Sequence, residues 1–242
     1  MEASSVQIIP LARLWLMLLP PAAVVFILMR WSLDPRQALV AIARMVVQLL
    51  LVGFGLVFIF ESDASWVVLA VLVVMVSVSS WIALRTVPGQ RHALYGRALA
   101  AIAIGGGASF VLVTQAVLEL EPWYYARYAI PLAGMIFANA MTSVSLAAER
   151  LFAELDRGVV YAEARRTALA AALIPITNAM LAVGLVSLPG MMTGQILSGV
   201  DPLLAVRYQI MVMCMVYAAA GLAAAGFLVA IRPEAEAVRA EA

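Results

Sequence analysis

Apolar residues in this chain run in blocks, without the alternation or one-faced periodicity of a soluble fold. Seven stretches, 14–29, 39–60, 65–84, 98–118, 128–147, 168–188 and 206–231, are separated by mostly short polar turns. A helix of about 20 apolar residues crosses the hydrocarbon core of a bilayer, and lipid-exposed backbone must satisfy its own hydrogen bonds. The pattern predicts an all-α, polytopic transmembrane helical bundle of about seven spans, forming a single domain over residues 1–242. The first stretch is short and carries Pro20-Pro21 in its middle. It has no strongly basic leader and no small-residue cleavage site, so it is read as a retained helix and not a signal peptide. The sixth carries Pro175 and Thr177-Asn178.

Arginine is sorted between alternate turns. Arg30 and Arg36 follow the first stretch, Arg85, Arg91 and Arg97 the third, Arg150, Arg157, Arg165 and Arg166 the fifth, and Arg232 and Arg239 the last. The intervening turns hold Glu61 and Asp63, then Glu119, Glu121 and Arg127, then Asp201 and Arg207. Basic loops stay on the cytoplasmic side, which predicts an outside N-terminus and a cytoplasmic C-terminus, with Arg13 a mild dissent. The expected location is the cell membrane, of the bacterial inner or plasma membrane type. One cytoplasmic stretch, 149–167 (ERLFAELDRGVVYAEARRT), is longer than the rest. It is charged, helix-compatible and interrupted by Gly158, which predicts one or two short surface helices. These serve either as an amphipathic connector or as a docking surface.

Polar groups at bilayer depth are costly and face a bundle interior or a pathway. Arg44 and Gln48 are four residues apart, with Gly55 seven further on, so they share a helix face. Arg44 is near enough to the inner end to snorkel; otherwise it points toward a pathway or a subunit contact. Gly134, Ala138, Thr142, Ser145 and Glu149 form a small-residue face suited to close helix packing. Asn139 and Ser143 lie on another face and either bond across helices or line a polar route. Gly105-Gly106-Gly107 is either a hinge or a tight contact. The segment 174–209 is punctuated by Pro175, Asn178, Gly184, Pro189, Gly190, Gly194, Gln195, Gly199, Asp201 and Pro202. Pro189-Gly190 should break a helix there. Residues 188–205 are therefore expected to form an irregular element, either re-entrant or capping the outer surface.

Composition narrows the chemistry. Hydrophobic residues make up 65% and charged residues 12%, more apolar surface than a water-soluble fold can hide. The chain contains no lysine, which excludes a Walker A motif and a Schiff-base mechanism. The single histidine, His92, lies in an arginine-rich loop, which argues against a Ser/His pair or a multi-histidine metal site, and the single cysteine, Cys214, allows no internal disulfide. No acidic pair within the spans supports an intramembrane enzyme. A net charge of +1 gives no nucleic-acid surface, and no cofactor is expected. The 13 methionines, bunched at Met191-Met192 and at Met211, Met213 and Met215, are either gap-fillers or soft metal donors.

Three segments carry a family resemblance. PLAGMIFANAMTSVSLAAERL (131–151), ALIPITNAMLAVGLVSLPGMMTGQILSGVDPLLAVRYQI (172–210) and ARMVVQLLLVGFGLVFIF (43–60) resemble the FetB-type family of ABC transporter permeases. The SLPGMMTGQIL motif, with Pro189, Gly190, Met191, Met192, Thr193 and Gly194, is long and unusual. The family is implicated in iron export, with plant relatives linked to aluminium tolerance. The resemblance implies a permease homodimer in a lipid bilayer, paired with a separate cytoplasmic ATPase. It implies a non-hydrolysing transport subunit for iron or a related metal ion or complex. ATPase contact then falls on 149–167, through Glu154, Arg157, Gly158, Arg165 and Arg166. The spacing of Gly158 and Ile174-Pro175 departs from the Glu-Ala-Ala…Gly…Leu-Pro pattern of importer permeases. Arg44, Gln48, Asn139, Asn178 and Gln195 are the expected pathway or gate residues, with Pro189, Gly190 and Gly194 shaping the element beside them. The competing reading is a secondary transporter or channel without an ATPase; inverted repeats would favour it, and none is seen.

The predicted topology has a direct test. In a Cys214→Ser background, a cysteine at position 160 should react with a membrane-impermeant maleimide only from the cytoplasmic side. Labelling of intact cells from outside would overturn the orientation.

Overall fold

The computed structural model describes residues 10–60 and 64–232. Those residues are almost wholly helical and include no strand. The chain divides into two compact units, Met1–Ser62 and Asp63–Ala242.

In the first unit, α1 (Leu11–Leu14) passes through a 3-10 turn, Trp15–Leu18, into α2 (Leu19–Arg30). Pro20 and Pro21 sit in the first turn of α2. Proline fits there because first-turn N–H groups have no intrahelical acceptor. The expected first span is thus a broken, shorter apolar helix, Trp15–Arg30. It ends in a Schellman turn, with Ser32 at φ 57 donating to Met29 and Leu33 N–H donating to the Leu28 carbonyl at 2.9 Å. α3 (Arg36–Phe60) follows, its start braced by Asp34 Oδ1 accepting from Arg36 N–H at 2.9 Å.

The second unit is a bundle of α4 (Ser65–Ala83), α5 (Arg91–Val111), α6 (Ala126–Asp156), α7 (Tyr161–Ala182) and α9 (Pro202–Ala230), with a short α8 (Gly190–Leu197). α6 packs against all four other long helices. Among the described residues, five helical stretches are long and apolar enough to cross a membrane: Arg36–Phe60, Ser65–Thr86, Pro88–Val117, Ala126–Asp156 and Pro202–Ala230. α7 carries Glu163, Arg165 and Arg166 in its first turns and stops at Ala182, short of the expected 188.

The contacts fix relative direction. A Cβ at Gly105 would lie 2.7 Å from the Ala223 nitrogen, and Gly226 faces Ala101, so α5 and α9 are antiparallel. Met75 faces Gly134 and Thr86 Oγ1 donates to the Ser145 carbonyl at 3.3 Å, so α4 and α6 are parallel. α7 runs opposite to α9, with Tyr161 bonded to Leu228 and Leu173 facing Gly221. Arg85, Arg91, Arg150, Arg157, Arg165, Arg166 and Arg232 therefore gather at one end of this unit. The other end carries Glu119, Glu121, the aromatic run Trp123-Tyr124-Tyr125, and 183–201.

α5 continues through the glycine triplet without a hinge. Gly105 touches α9 backbone, and a Cβ at Gly106 would meet Ile136 and Phe137 of α6 at 3.0 Å, whereas Gly107 has nothing within 4 Å. On α9, Ala219, Ala220, Ala223 and Ala224 are all buried, Ala223 directly against Gly105. Small residues substitute dispersion at short range for the hydrophobic force that lipid cannot supply. Beyond Val111 the helix widens into a π-turn, Leu112–Val117, closed by Leu118 N–H donating to the Val113 carbonyl at 2.9 Å. On α6 the buried face runs through Ala129, Ala133, Ile136, Ala140, Ser143, Ala147 and Leu151. The expected small-residue face is used only in part: Gly134 meets Met75 and Ser145 meets Thr86, but Ala138, Thr142 and Glu149 are exposed.

One chemical change at two neighbouring glycines should then have opposite signs. Gly105→Ala should destabilise by about 1–3 kcal/mol, as overpacking does. Gly107→Ala should be neutral or stabilising by up to about 1 kcal/mol, as alanine replaces glycine in a helix. Thermal unfolding of the detergent-solubilised protein measures both; equal shifts would refute the close α5–α9 contact.

Candidate functional site

At the arginine-rich end, α6 and α7 are joined by a tight turn. The stretch 149–167, expected as one or two short surface helices, is instead the last two turns of α6, a four-residue link and the first turns of α7. The reason is that the buried face of α6 continues through Ala148, Leu151, Glu154 and Leu155. Gly158, at φ +81, then closes a Schellman cap: its N–H donates to Leu155 at 2.8 Å, and Val159 N–H donates to Glu154 at 3.2 Å. Glu154 is buried and accepts from Arg150 Nη2 at 2.5 Å, with Arg157 Nη1 3.8 Å away. Tyr161, also buried, donates its hydroxyl to the Leu228 carbonyl, and the Arg232 guanidinium lies 6.0 Å from its ring centre. The turn is thereby tied to the end of α9. Of the expected contact residues, Arg157, Gly158 and Arg166 are exposed and Arg165 is half-buried. Glu154 is a structural anchor, not an open surface.

Nearby, the Arg91 guanidinium stacks 3.8 Å from the Trp81 ring centre and donates to the Trp81 carbonyl from Nε at 3.1 Å and Nη2 at 2.7 Å. His92 meets the same ring edge-on at 5.2 Å. The single histidine is part of this aromatic cluster.

At the opposite end, α7 stops where Gly184 adopts φ +81 and donates to the Ser187 carbonyl at 2.9 Å. The break thus precedes Pro189-Gly190, which instead begins α8: Pro189 caps it and Gly190 is its first residue. Thr193 Oγ1 donates back to the Pro189 carbonyl at 3.1 Å. α8 ends in another Schellman turn at Gly199, φ +87, with Val200 N–H donating to the Gln195 carbonyl at 3.0 Å. Asp201 caps α9 by accepting from Leu203 and Leu204 N–H at 2.9 and 3.2 Å. Of the expected irregular element 188–205, Gly190–Leu197 form this short helix, packed on α9, and 202–205 are the first turn of α9 itself.

Two cavities flank this element. The larger, about 330 Å³, is walled by α7, α8 and α9, with Met180, Met192, Met213, Cys214 and Gln209 among its lining. The smaller, about 100 Å³, is lined by Met135, Met191, Met211, Arg127, Tyr128 and Tyr208 among others. Met191 and Met192 thus serve different cavities. Gln209 is 5% exposed, and its Oε1 has no hydrogen-bond partner.

The expected pathway residues are dispersed. Arg44 and Gln48 lie on α3 of the first unit, both exposed. Asn139 donates to the Met135 carbonyl of its own helix at 2.8 Å, while Ser143 does bond across helices, to the Ala172 carbonyl at 3.2 Å. Asn178 is exposed on α7, and Gln195 on α8 keeps a buried Oε1 without a partner. None of the five lines either cavity. Sequence reasoning passed over Gln209, although Gln209 and Met213 stand four apart on an otherwise apolar helix.

A model of the uncharacterised protein family UPF0014 matches residues 11–234. This chain belongs to the UPF0014 family. Its relatives include the UPF0014 membrane protein STAR2 of Oryza sativa, 37% identical over 84% of this chain and 78% of that protein. The protein ALUMINUM SENSITIVE 3 of Arabidopsis thaliana is 34% identical over 84% and 81%. The probable iron export permease protein FetB of Escherichia coli is 35% identical over 77% and 76%. No solved structure matches. Family and apolar helices together make this a multi-pass UPF0014 membrane protein.

The tie between the α6–α7 turn and α9 can be cut at one atom. Tyr161→Phe should cost about 0.5–1.5 kcal/mol of stability, the value of one hydrogen bond. Urea or thermal unfolding in detergent checks this; an unchanged midpoint would mean the bond contributes nothing.

Proposed function

We propose that this chain is the membrane-spanning permease subunit of an ABC-type transporter that exports iron or a related metal ion or complex. Two copies work with two separately encoded cytoplasmic ATPase subunits. The observation that carries the reading is the 35% identity to the probable iron export permease FetB over about three-quarters of each chain. The absence of lysine supports a division of labour, since ATP hydrolysis needs a Walker A lysine from elsewhere.

The arginine-bearing end of the second unit is the cytoplasmic end in this reading, by the positive-inside rule. ATPase closure presses on the α6–α7 turn through Arg157, Gly158 and Arg166, with Arg165 at the edge. Glu154 holds Arg150 and Arg157 in place behind that surface. The load passes to α9 through Tyr161 and Leu228, and the bundle rocks between inward-open and outward-open states. Work is done only if cargo or ATP binds the two states with different affinity. Arg44, Gln48, Asn139, Asn178 and Gln195 are the proposed pathway or gate residues, brought together by a second copy or by movement between states.

Reversing charge on the exposed arginines tests the docking surface. Arg157→Glu combined with Arg166→Glu should weaken co-purification with the ATPase subunit at least tenfold, while the permease stays folded by size-exclusion. Co-purification at the wild-type level would remove this end as the contact.

A further inference from the structure

Sulfur gathers where α7, α8 and α9 meet. Met180, Met192 and Met213 supply three thioethers to the larger cavity, and Cys214, the only cysteine of the chain, supplies a thiol. These are soft donors, matched to monovalent d10 cations. Among the described residues there is no group of three or more His, Cys, Asp or Glu side chains that would hold a hard cation.

Gln209 is the one amide side chain among the residues that line this cavity. It lines the same wall as Met213 and Cys214, four and five residues further along α9. Its side chain is 5% exposed and Oε1 has no hydrogen-bond partner. Charge number points the same way. The wall is mostly hydrocarbon, so a divalent ion stripped of water here would pay a desolvation penalty that neutral donors cannot offset. A monovalent soft cation loses less hydration and gains sulfur ligands.

We propose that this cavity is a binding site for a soft monovalent cation of the copper(I) class. The thioethers of Met180, Met192 and Met213 and the sulfur of Cys214 are its donors. The site belongs to the permease chain alone. It stands or falls independently of any ATPase pairing, because its test contains no ATPase.

Cys214 is exposed enough to serve as its own reporter. The purified protein in detergent is treated with N-ethylmaleimide across a series of silver(I) concentrations, silver(I) being an air-stable probe of the class. Silver(I) should block alkylation, and the concentration for half-protection should rise at least tenfold in the Met180→Leu/Met192→Leu/Met213→Leu protein. Methionine to leucine conserves volume and keeps the fold; should the triple variant aggregate, Met213→Leu alone should still raise it severalfold. Equal half-protection in wild type and leucine variants would mean that the thiol alone binds silver, and the site would not exist. Protection by iron(II) as strong as by silver(I) would overturn the soft-cation assignment.

Discussion

The approach of α5 to α9 at Gly105 is the contact on which the second unit rests. With a Cβ at that position only 2.7 Å from backbone of α9, no side chain can stand between the two helices. In lipid there is no hydrophobic force to press helices together, so short-range packing must do it. Gly105 against Ala223, and Ala101 against Gly226 about one turn away, meet that requirement. α6 then closes the group by packing on α4, α5, α7 and α9 together. Because α9 is held in its middle, its two ends are fixed relative to each other. One end receives Tyr161 from the α6–α7 turn, and the other carries Gln209 into the cavity beside α8.

Most of the helices were legible from hydropathy because the bilayer demands long apolar runs. Their ends were legible only where a turn residue marked them. Ser65 starts α4 as expected, and the stretch 206–231 lies almost wholly within α9. α5 begins seven residues before the apolar stretch does, at Arg91, since that arginine covers Trp81 and the polar turn remains helical. α6 overruns its apolar stretch by two turns because its buried face continues to Leu155 although its exposed face has become charged. Hydropathy averages the two faces and loses this distinction. Pro189-Gly190 is a breaker in any local reading, but Gly184 had already ended α7, and the same dipeptide then opened a helix. A proline at a helix start and one at a helix end look alike without the partner carbonyls.

Side-chain roles were less legible than elements. Glu154 reads as a surface carboxylate in a charged stretch, and only the fold shows it buried between Arg150 and Arg157. Gln209 was hidden for the converse reason: its neighbours in sequence are unremarkable, and its isolation depends on α8 lying alongside α9. Asn139 and Ser143 show how little spacing alone decides. They stand four apart, yet one bonds within its own helix and the other reaches α7.

The larger cavity and the family likeness impose different demands on a metal cargo. Iron in water is a hard, strongly hydrated cation, and moving it through hydrocarbon requires oxygen or nitrogen donors or a covering chelator. The described residues of one copy offer no acidic or histidine cluster for the first route. A chelated ion needs no such cluster, because its charge is already covered, and it needs a wide polar route that two facing copies would have to build. A sulfur-lined cavity has neither property: it is apolar, and the proposed occupant is an ion that trades water for thioether. In the two proposals these demands fall on different parts of the chain: the polar residues on α3, α6 and α7 are assigned to a route between copies, and the cavity beside α8 to an ion held within one copy. On that division, replacing the methionines would alter how the protein responds to soft metals while leaving the route itself in place.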